Sequence, residues 1–231
     1  MNESFSPLDF QEIYERFDTP ITAIDCGAMC APHNPSGKPF CCDICQAVPA
    51  AYHQEWEFLR RNTDLWKEWH GNECPEDLSD AADLRADTPE HMLLLACQGM
   101  EHCQRKFRAI SCRQFPFFPY VTSDFRFIGL AYEWAFEPTC WVISHLELVS
   151  TPYQKKFISL YDDLFSFIPG DFESYAIHSE VMRTSFAEQK RRIPILHRNG
   201  NYYLLSPLSE RLRRIQPELL SRFGVYQEEY K

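Results

Sequence analysis

The stretch CGAMCAPHNPSGKPFCCDIC, residues 26–45, places five thiols within twenty residues. A second group lies in CQGMEHCQRKFRAISCRQFPF, residues 97–117, and one more cysteine follows at position 140. Thiolates so close together repel one another unless a cation or cluster neutralises them. We therefore predict a metal centre whose ligands come from Cys26, Cys30, Cys41, Cys42, Cys45, Cys97, Cys103, Cys112 and Cys140.

These thiols could instead be buried free cysteines or form disulfides. A free cysteine is often a small buried hydrophobe, but eight thiols in two dense groups, separated by loops rich in Pro and Gly, favour a metal. Disulfides are the other alternative, although Cys41 and Cys42 cannot readily bridge, because neighbouring Cα atoms are only about 3.8 Å apart. Cys74 stands alone between Glu73 and Pro75. We predict that it is a bystander.

The spacing of the cysteines favours an iron–sulfur cluster, most simply of the 4Fe–4S type, over zinc. A structural zinc ribbon normally presents two short C-x2-C knuckles and four ligands. Here only Cys42 and Cys45 have that spacing, and the other intervals are C-x3-C, C-x5-C and C-x8-C. Such irregular spacing suits a larger cofactor, and a proline soon after the last ligand is also found at ferredoxin sites. Zinc remains the alternative cofactor.

The segment from Cys103 to Phe117 resembles the YkgJ-type cysteine-cluster family, whose core is written CxxCxxCC. The string C-R-Q-F-P-F at residues 112–117 is its most specific part, and the resemblance covers residues 26–140. This chain departs from the family in having Ala109-Ile110-Ser111 where Arg-Pro usually precedes the last Cys-Arg. The family is described as chelating zinc or iron, and a similar cluster occurs in flagellin lysine methylases. The resemblance implies metal binding but no particular reaction.

Three arginines near the second cysteine group are candidate cofactor-binding residues. A centre held by four thiolates carries net negative charge, which Arg105, Arg108 and Arg113 would offset. No catalytic residue can be assigned, because the eight glycines form no phosphate-binding motif and no G-x-S-x-G or H-E-x-x-H motif is present.

These observations leave several functions open. More than four cysteine ligands, or an open position beside a pocket, would indicate chemistry, whereas a closed four-ligand site would indicate a structural role. The lack of other cofactor motifs favours an accessory or binding role. The alternatives are a cluster-dependent enzyme, acting in electron transfer or in modification of a protein or small molecule, and a structural zinc-binding interaction module.

Composition limits the partners and the compartment. The 231 residues are 45% hydrophobic and carry a formal net charge of −10, so the chain can bury a core and nucleic acid is a poor partner. The first 17 residues contain four acidic side chains and no apolar run, so we expect neither a signal nor a transit peptide. No stretch is long and apolar enough for a membrane span. We expect a cytoplasmic protein with a metal centre, a possible protein partner and no membrane.

The fold that we predict is α+β and mostly helical, with cysteine-rich loops around a metal centre, a small β-hairpin and C-terminal helices. Residues 1–150 would form the metal-binding part, and residues 151–231 a helical extension with the hairpin, packed as one compact unit. Periodicity predicts helices at 48–69, 157–168 and 172–186 and strand structure at 125–136. Asn199-Gly200 predicts the turn of a hairpin over 193–206, and Ser206-Pro207 predicts the start of a last helix.

Overall fold

The computed structural model describes residues 9–74 and 79–228, without the side chains of residues 79, 80 and 228. Short and long α-helices are interspersed with strands along the chain. The helices are α1 (Phe10–Arg16), α2 (Cys26–Cys30), α3 (His53–Asn62), α4 (Ser79–Ala86), α5 (Ile110–Gln114), α6 (Trp141–Ser144), α7 (Thr151–Phe167) and α8 (Pro169–Glu188).

The strands form two antiparallel sheets. They are β1 (Ala50–Tyr52), β2 (Trp66–Glu68), β3 (Met92–Cys97), β4 (Phe117–Val121), β5 (Phe127–Tyr132), β6 (Ile193–His197), β7 (Tyr202–Leu205) and β8 (Leu212–Ile215). The first sheet has the order β1-β3-β2, and the second has the order β4-β5-β6-β7-β8. The second sheet takes strands from both sides of residue 150, so residues before and after that point share one sheet.

The two long helices lie where periodicity predicts them. Ser150 caps α7 by accepting a hydrogen bond from the amide of Tyr153 (3.3 Å), and Phe157, Tyr161 and Leu164 are buried along one face. Helix α8 packs against β4, where Ser179 Oγ accepts a hydrogen bond from the Val121 amide (3.0 Å). The core therefore joins the long helices to the larger sheet.

The prediction of a mostly helical fold is wrong. Eight strands in two antiparallel sheets make this an α+β fold, and no group of three or more metal-binding side chains is found among the described residues. The predicted hairpin is present, with Gly200 at φ +82° in its turn, but its strands β6 and β7 lie inside the five-stranded sheet.

The predicted last helix is also wrong. Ser206 opens a tight turn, in which its amide donates to the carbonyl of Arg211 (3.1 Å), and β8 then pairs with β7. The apolar residues that suggested a helix are not buried together, and Leu208 is 88% exposed. Residues 212–215 form backbone hydrogen bonds with the edge of β7. These bonds stabilise a strand more than the weak apolar periodicity of the segment stabilises a helix.

The predicted helix at 48–69 is interrupted by strands at both ends. Only α3 is helical in this range. Strand β1 precedes α3 in the chain and β2 follows it, and the two strands pair with opposite edges of β3. Helix formation ends at Thr63, whose backbone is extended, so Trp66 can pair with Cys97 at the end of β3. No helix in the described ranges is long and apolar enough to cross a membrane.

Candidate metal centre

The first cysteine group is held in place by two aspartates. Asp25 caps α2 by accepting hydrogen bonds from the amides of Gly27 (3.0 Å) and Ala28 (3.3 Å), which places Cys26 at the start of that helix. Asp43 accepts hydrogen bonds from Ser36 Oγ (2.7 Å), Asn34 Nδ2 (3.2 Å) and the Cys45 amide (3.2 Å). These bonds close the loop that carries Cys41 and Cys42.

Burial alone would raise the pKa of the Asp43 carboxyl. The hydrogen bonds from Ser36, Asn34 and the Cys45 amide outweigh that effect and hold the pKa below its usual range. The charged carboxylate is thus the form that organises the loop.

The second cysteine group begins at the last residue of β3, and hydrogen bonds from β2 and to α3 hold the segment that follows. Gly99, at φ +96°, turns the chain after Cys97. Trp66 Nε1 donates to the Phe107 carbonyl (2.8 Å), and the amide of Ile110, which begins α5, donates to the buried Glu55 Oε1 (2.7 Å). The segment between Cys103 and Cys112 is therefore fixed to β2 and α3.

Six cysteines from the two groups line one cavity of about 400 Å³, which we call the thiol cavity. Arg108 and Trp66 lie in the same wall. The six cysteines are Cys26, Cys41, Cys42, Cys97, Cys103 and Cys112. Cysteines up to 86 positions apart in the sequence thus line one space.

The remaining three predicted ligands lie elsewhere. Cys45 forms a disulfide with Cys74, with a Cα separation of 5.6 Å, so its sulfur is not a thiolate in this structure. Cys30 and Cys140 are buried free thiols that do not line the thiol cavity, although both are electrostatically coupled to Cys26. The six lining cysteines are therefore the candidate ligands, and Cys30 and Cys140 are buried thiols that interact electrostatically with Cys26.

The three arginines occupy different positions relative to this cavity. Arg108 is half-buried and its Nε donates to Cys103 Sγ (3.1 Å). Arg113 is buried and donates all its hydrogen bonds to backbone carbonyls, while Arg105 pairs with Asp18 (3.1 Å) on the surface. Only Arg108 contacts a cysteine and lines the thiol cavity.

Burial and mutual repulsion raise the pKa of most thiols in the site. Burial, followed by the charges of Cys30 and Asp25, raises the pKa of Cys26 to about 11, and burial raises the pKa of Cys112 still further. Cys42 differs, because a hydrogen bond from Cys41 and the charge of Arg108 lower its pKa to about 7. Without a bound cation, most of these sulfurs are protonated at neutral pH.

The six cysteines line a cavity and do not meet at one point. Zinc binds thiolates at about 2.3 Å, so four ligands must converge on one point. No three His, Cys, Asp or Glu side chains converge in this way in residues 9–74 and 79–228. A cluster of iron and sulfide is ligated at separate corners, so its thiolates surround a space. The thiol cavity is a space of about 400 Å³ lined by such thiols.

Sequence reasoning missed the residues that shape the site. Asp25 and Asp43 were available as signals, since each immediately follows or precedes a cysteine motif and Asp is a common cap and loop residue. Glu55 gave no signal, because its role depends on Tyr14 and Ile110, which are 41 and 55 residues away.

No protein-family model, curated protein or solved structure matches this chain.

Proposed function

We propose that the chain binds an iron–sulfur cluster in the thiol cavity and uses it in electron transfer or in modification of a substrate. The observation that carries this proposal is that six cysteines, from two sequence groups, line one cavity of about 400 Å³. A structural zinc site needs only four ligands and no open space. The resemblance of residues 103–117 to the cysteine-cluster family agrees with the same chemistry.

The protein's own residues supply the setting that such a cofactor needs. Cysteines of the first group approach from α2 and the loop closed by Asp43, and those of the second from β3, from α5 and from the segment between them. Arg108 offsets part of the negative charge of the ligands through Cys103. When bound, such a cluster takes up and releases single electrons, and its potential depends on nearby charge and hydrogen bonds to sulfur.

Participation in chemistry is favoured over a purely structural or accessory role. The number of lining thiols exceeds the four of a closed site. A second cavity also adjoins the thiol cavity and shares Cys26, Arg108 and Cys112 with it. A reacting centre needs space for a second molecule beside it, which such an adjoining cavity would provide.

Elemental analysis of protein purified without oxygen tests the proposal. We expect brown protein that contains iron and acid-labile sulfide in comparable amounts, with visible absorption that bleaches on reduction. Colourless protein with stoichiometric zinc would contradict the cluster and support the structural zinc module. Protein that binds neither metal after anaerobic reconstitution would contradict both.

A further inference from the structure

A second cavity, of about 380 Å³, lies directly against the thiol cavity. Its outer wall is the loop of residues 17–25. The two cavities share Asp25, Cys26, Arg108 and Cys112, so these residues form the partition between them. We call the second space the loop cavity. Its volume lies within the range of small-molecule sites, about 300–1,000 Å³.

The charged groups around the loop cavity are mostly satisfied by one another. Asp18 pairs with Arg105 (3.1 Å) and lies 3.6 Å from Arg113, and Asp25 accepts two hydrogen bonds from backbone amides of α2. Every nitrogen of the Arg113 guanidinium donates to a backbone carbonyl. These groups therefore stabilise the wall and leave little capacity for a ligand.

Arg108 is the exception in this wall. Its Nε donates to Cys103 Sγ, and within the described part of the chain it forms no ion pair with a carboxylate. A guanidinium has five N–H donors arranged in a planar fork, so one edge can face a sulfur while the other binds an anion. Arg108 lines both cavities, and its Nη atoms have no hydrogen-bond acceptor within the described part of the chain.

We propose that the loop cavity binds a small carboxylate-bearing molecule, whose carboxylate pairs with the Nη atoms of Arg108. A carboxylate matches the planar fork with two parallel hydrogen bonds. The ligand would then lie against the Cys26 and Cys112 side of the thiol cavity. That the ligand is the substrate of a redox reaction rests on the proposed function, whereas its binding through Arg108 does not.

Fluorine NMR with trifluoroacetate as the probe tests the binding site. We expect protein to broaden the probe signal, acetate to reverse the broadening, and Arg108→Gln to weaken binding at least tenfold. Arg126→Gln is the matched control, because Arg126 is an exposed arginine paired with Asp124 and should leave binding unchanged. Ala23→Trp is a second variant that fills the loop cavity from its exposed wall and should abolish binding without altering an arginine.

The outcomes separate this inference from the proposed function. Faster fluorine relaxation in iron-loaded protein than in zinc-loaded protein would place the probe beside the cluster. Broadening that persists in both Arg108→Gln and Ala23→Trp, or no broadening at all, would overturn the carboxylate site even if iron and sulfide are present. Displacement of the probe by phosphate at lower concentrations than acetate would overturn the carboxylate assignment. Arg108-dependent binding in protein that never holds iron would support the site and contradict only the cluster.

Discussion

The Nε atom of Arg108 lies 3.1 Å from the Sγ atom of Cys103. Among the described residues, Arg108 is the one arginine that lines the thiol cavity, and this bond joins it to one of the six lining cysteines. Although burial alone would lower it, the hydrogen bond and charges of Cys103, Cys42 and Cys112 raise the pKa of Arg108. The guanidinium is thus a permanent positive charge beside the proposed ligands.

Loss of that charge should change the redox potential of the proposed cluster. We expect Arg108→Gln to lower the reduction potential by about 40 mV, which equals about 1 kcal/mol for a one-electron couple, because reduction adds negative charge. Arg108→Lys should retain most of the wild-type value. Potentiometric titration monitored by visible absorption measures both. An unchanged potential in Arg108→Gln would show that Arg108 does not sense the cluster.

The cysteines that line the thiol cavity should matter more than the disulfide pair. We expect Cys103→Ser or Cys112→Ser to remove most of the bound metal and to lower stability, because metal-binding energy is also folding energy. Cys74→Ser should retain the metal, since Cys74 is bonded to Cys45 outside the cavity. Metal content and thermal unfolding provide the readout. Metal loss in Cys74→Ser with full retention in Cys112→Ser would contradict this ligand set.

Metal affinity should rise with pH. Burial raises the pKa of Cys26 to about 11 and raises that of Cys112 further, so metal binding must displace protons from these two lining thiols. Each displaced proton strengthens the apparent affinity about tenfold per pH unit below the thiol pKa. Competition with a chelator for zinc, at pH 6, 7 and 8, measures the slope. A pH-independent affinity would mean that the bound groups are not protonated thiols.

Glu55 should make the folded protein less stable as the pH rises from acid to neutral. Burial raises its pKa to about 7, above the value of about 4.3 in an unfolded chain. At pH values between these two pKa values, the folded state binds more protons than the unfolded state, because Glu55 stays protonated only in the folded state. The free energy of unfolding should therefore fall by on the order of 3 kcal/mol over that range.

Glu55→Gln should remove this pH dependence, and Glu57→Gln, at a partly exposed neighbour on α3, is the control. Urea unfolding between pH 4.5 and 7.5 gives the comparison. If Glu55→Gln does not fold, infrared detection of a protonated buried carboxyl near pH 6 in the wild type replaces it. A wild-type slope in Glu55→Gln, or a carboxyl ionised at pH 6, would contradict the shifted pKa.

Arg113 should be required for stability rather than for metal chemistry. Its guanidinium donates to the carbonyls of Tyr14, Phe17, Arg105, Lys106 and Arg108. Lysine cannot reproduce this fork, so Arg113→Lys should lower the free energy of unfolding by about 3 kcal/mol. Arg192→Lys, at an exposed position, should have no effect. A stable Arg113→Lys protein that loses metal would instead indicate a direct role in the centre.

The sequence by itself determined the secondary-structure features that depend only on residues a few positions apart in the chain. The buried stripe of α7 and the Asn199-Gly200 turn were predicted correctly, because helical periodicity and left-handed turn residues act over a few positions. The grouping of cysteines likewise pointed to candidate site residues before any fold was known. It could not say which of those sulfurs share one space.

Tertiary structure decided the long-range pairings. Strand β3 lies between β1 and β2, and β5 pairs with β6 across more than 60 residues, so neither sheet can be deduced from local patterns. The pairing of Cys45 with Cys74, and the burial of Glu55 beneath α5, depend in the same way on chain segments that meet only in the folded state. Arg105, Arg108 and Arg113 look alike in the sequence, but burial and the available acceptors give each a different role.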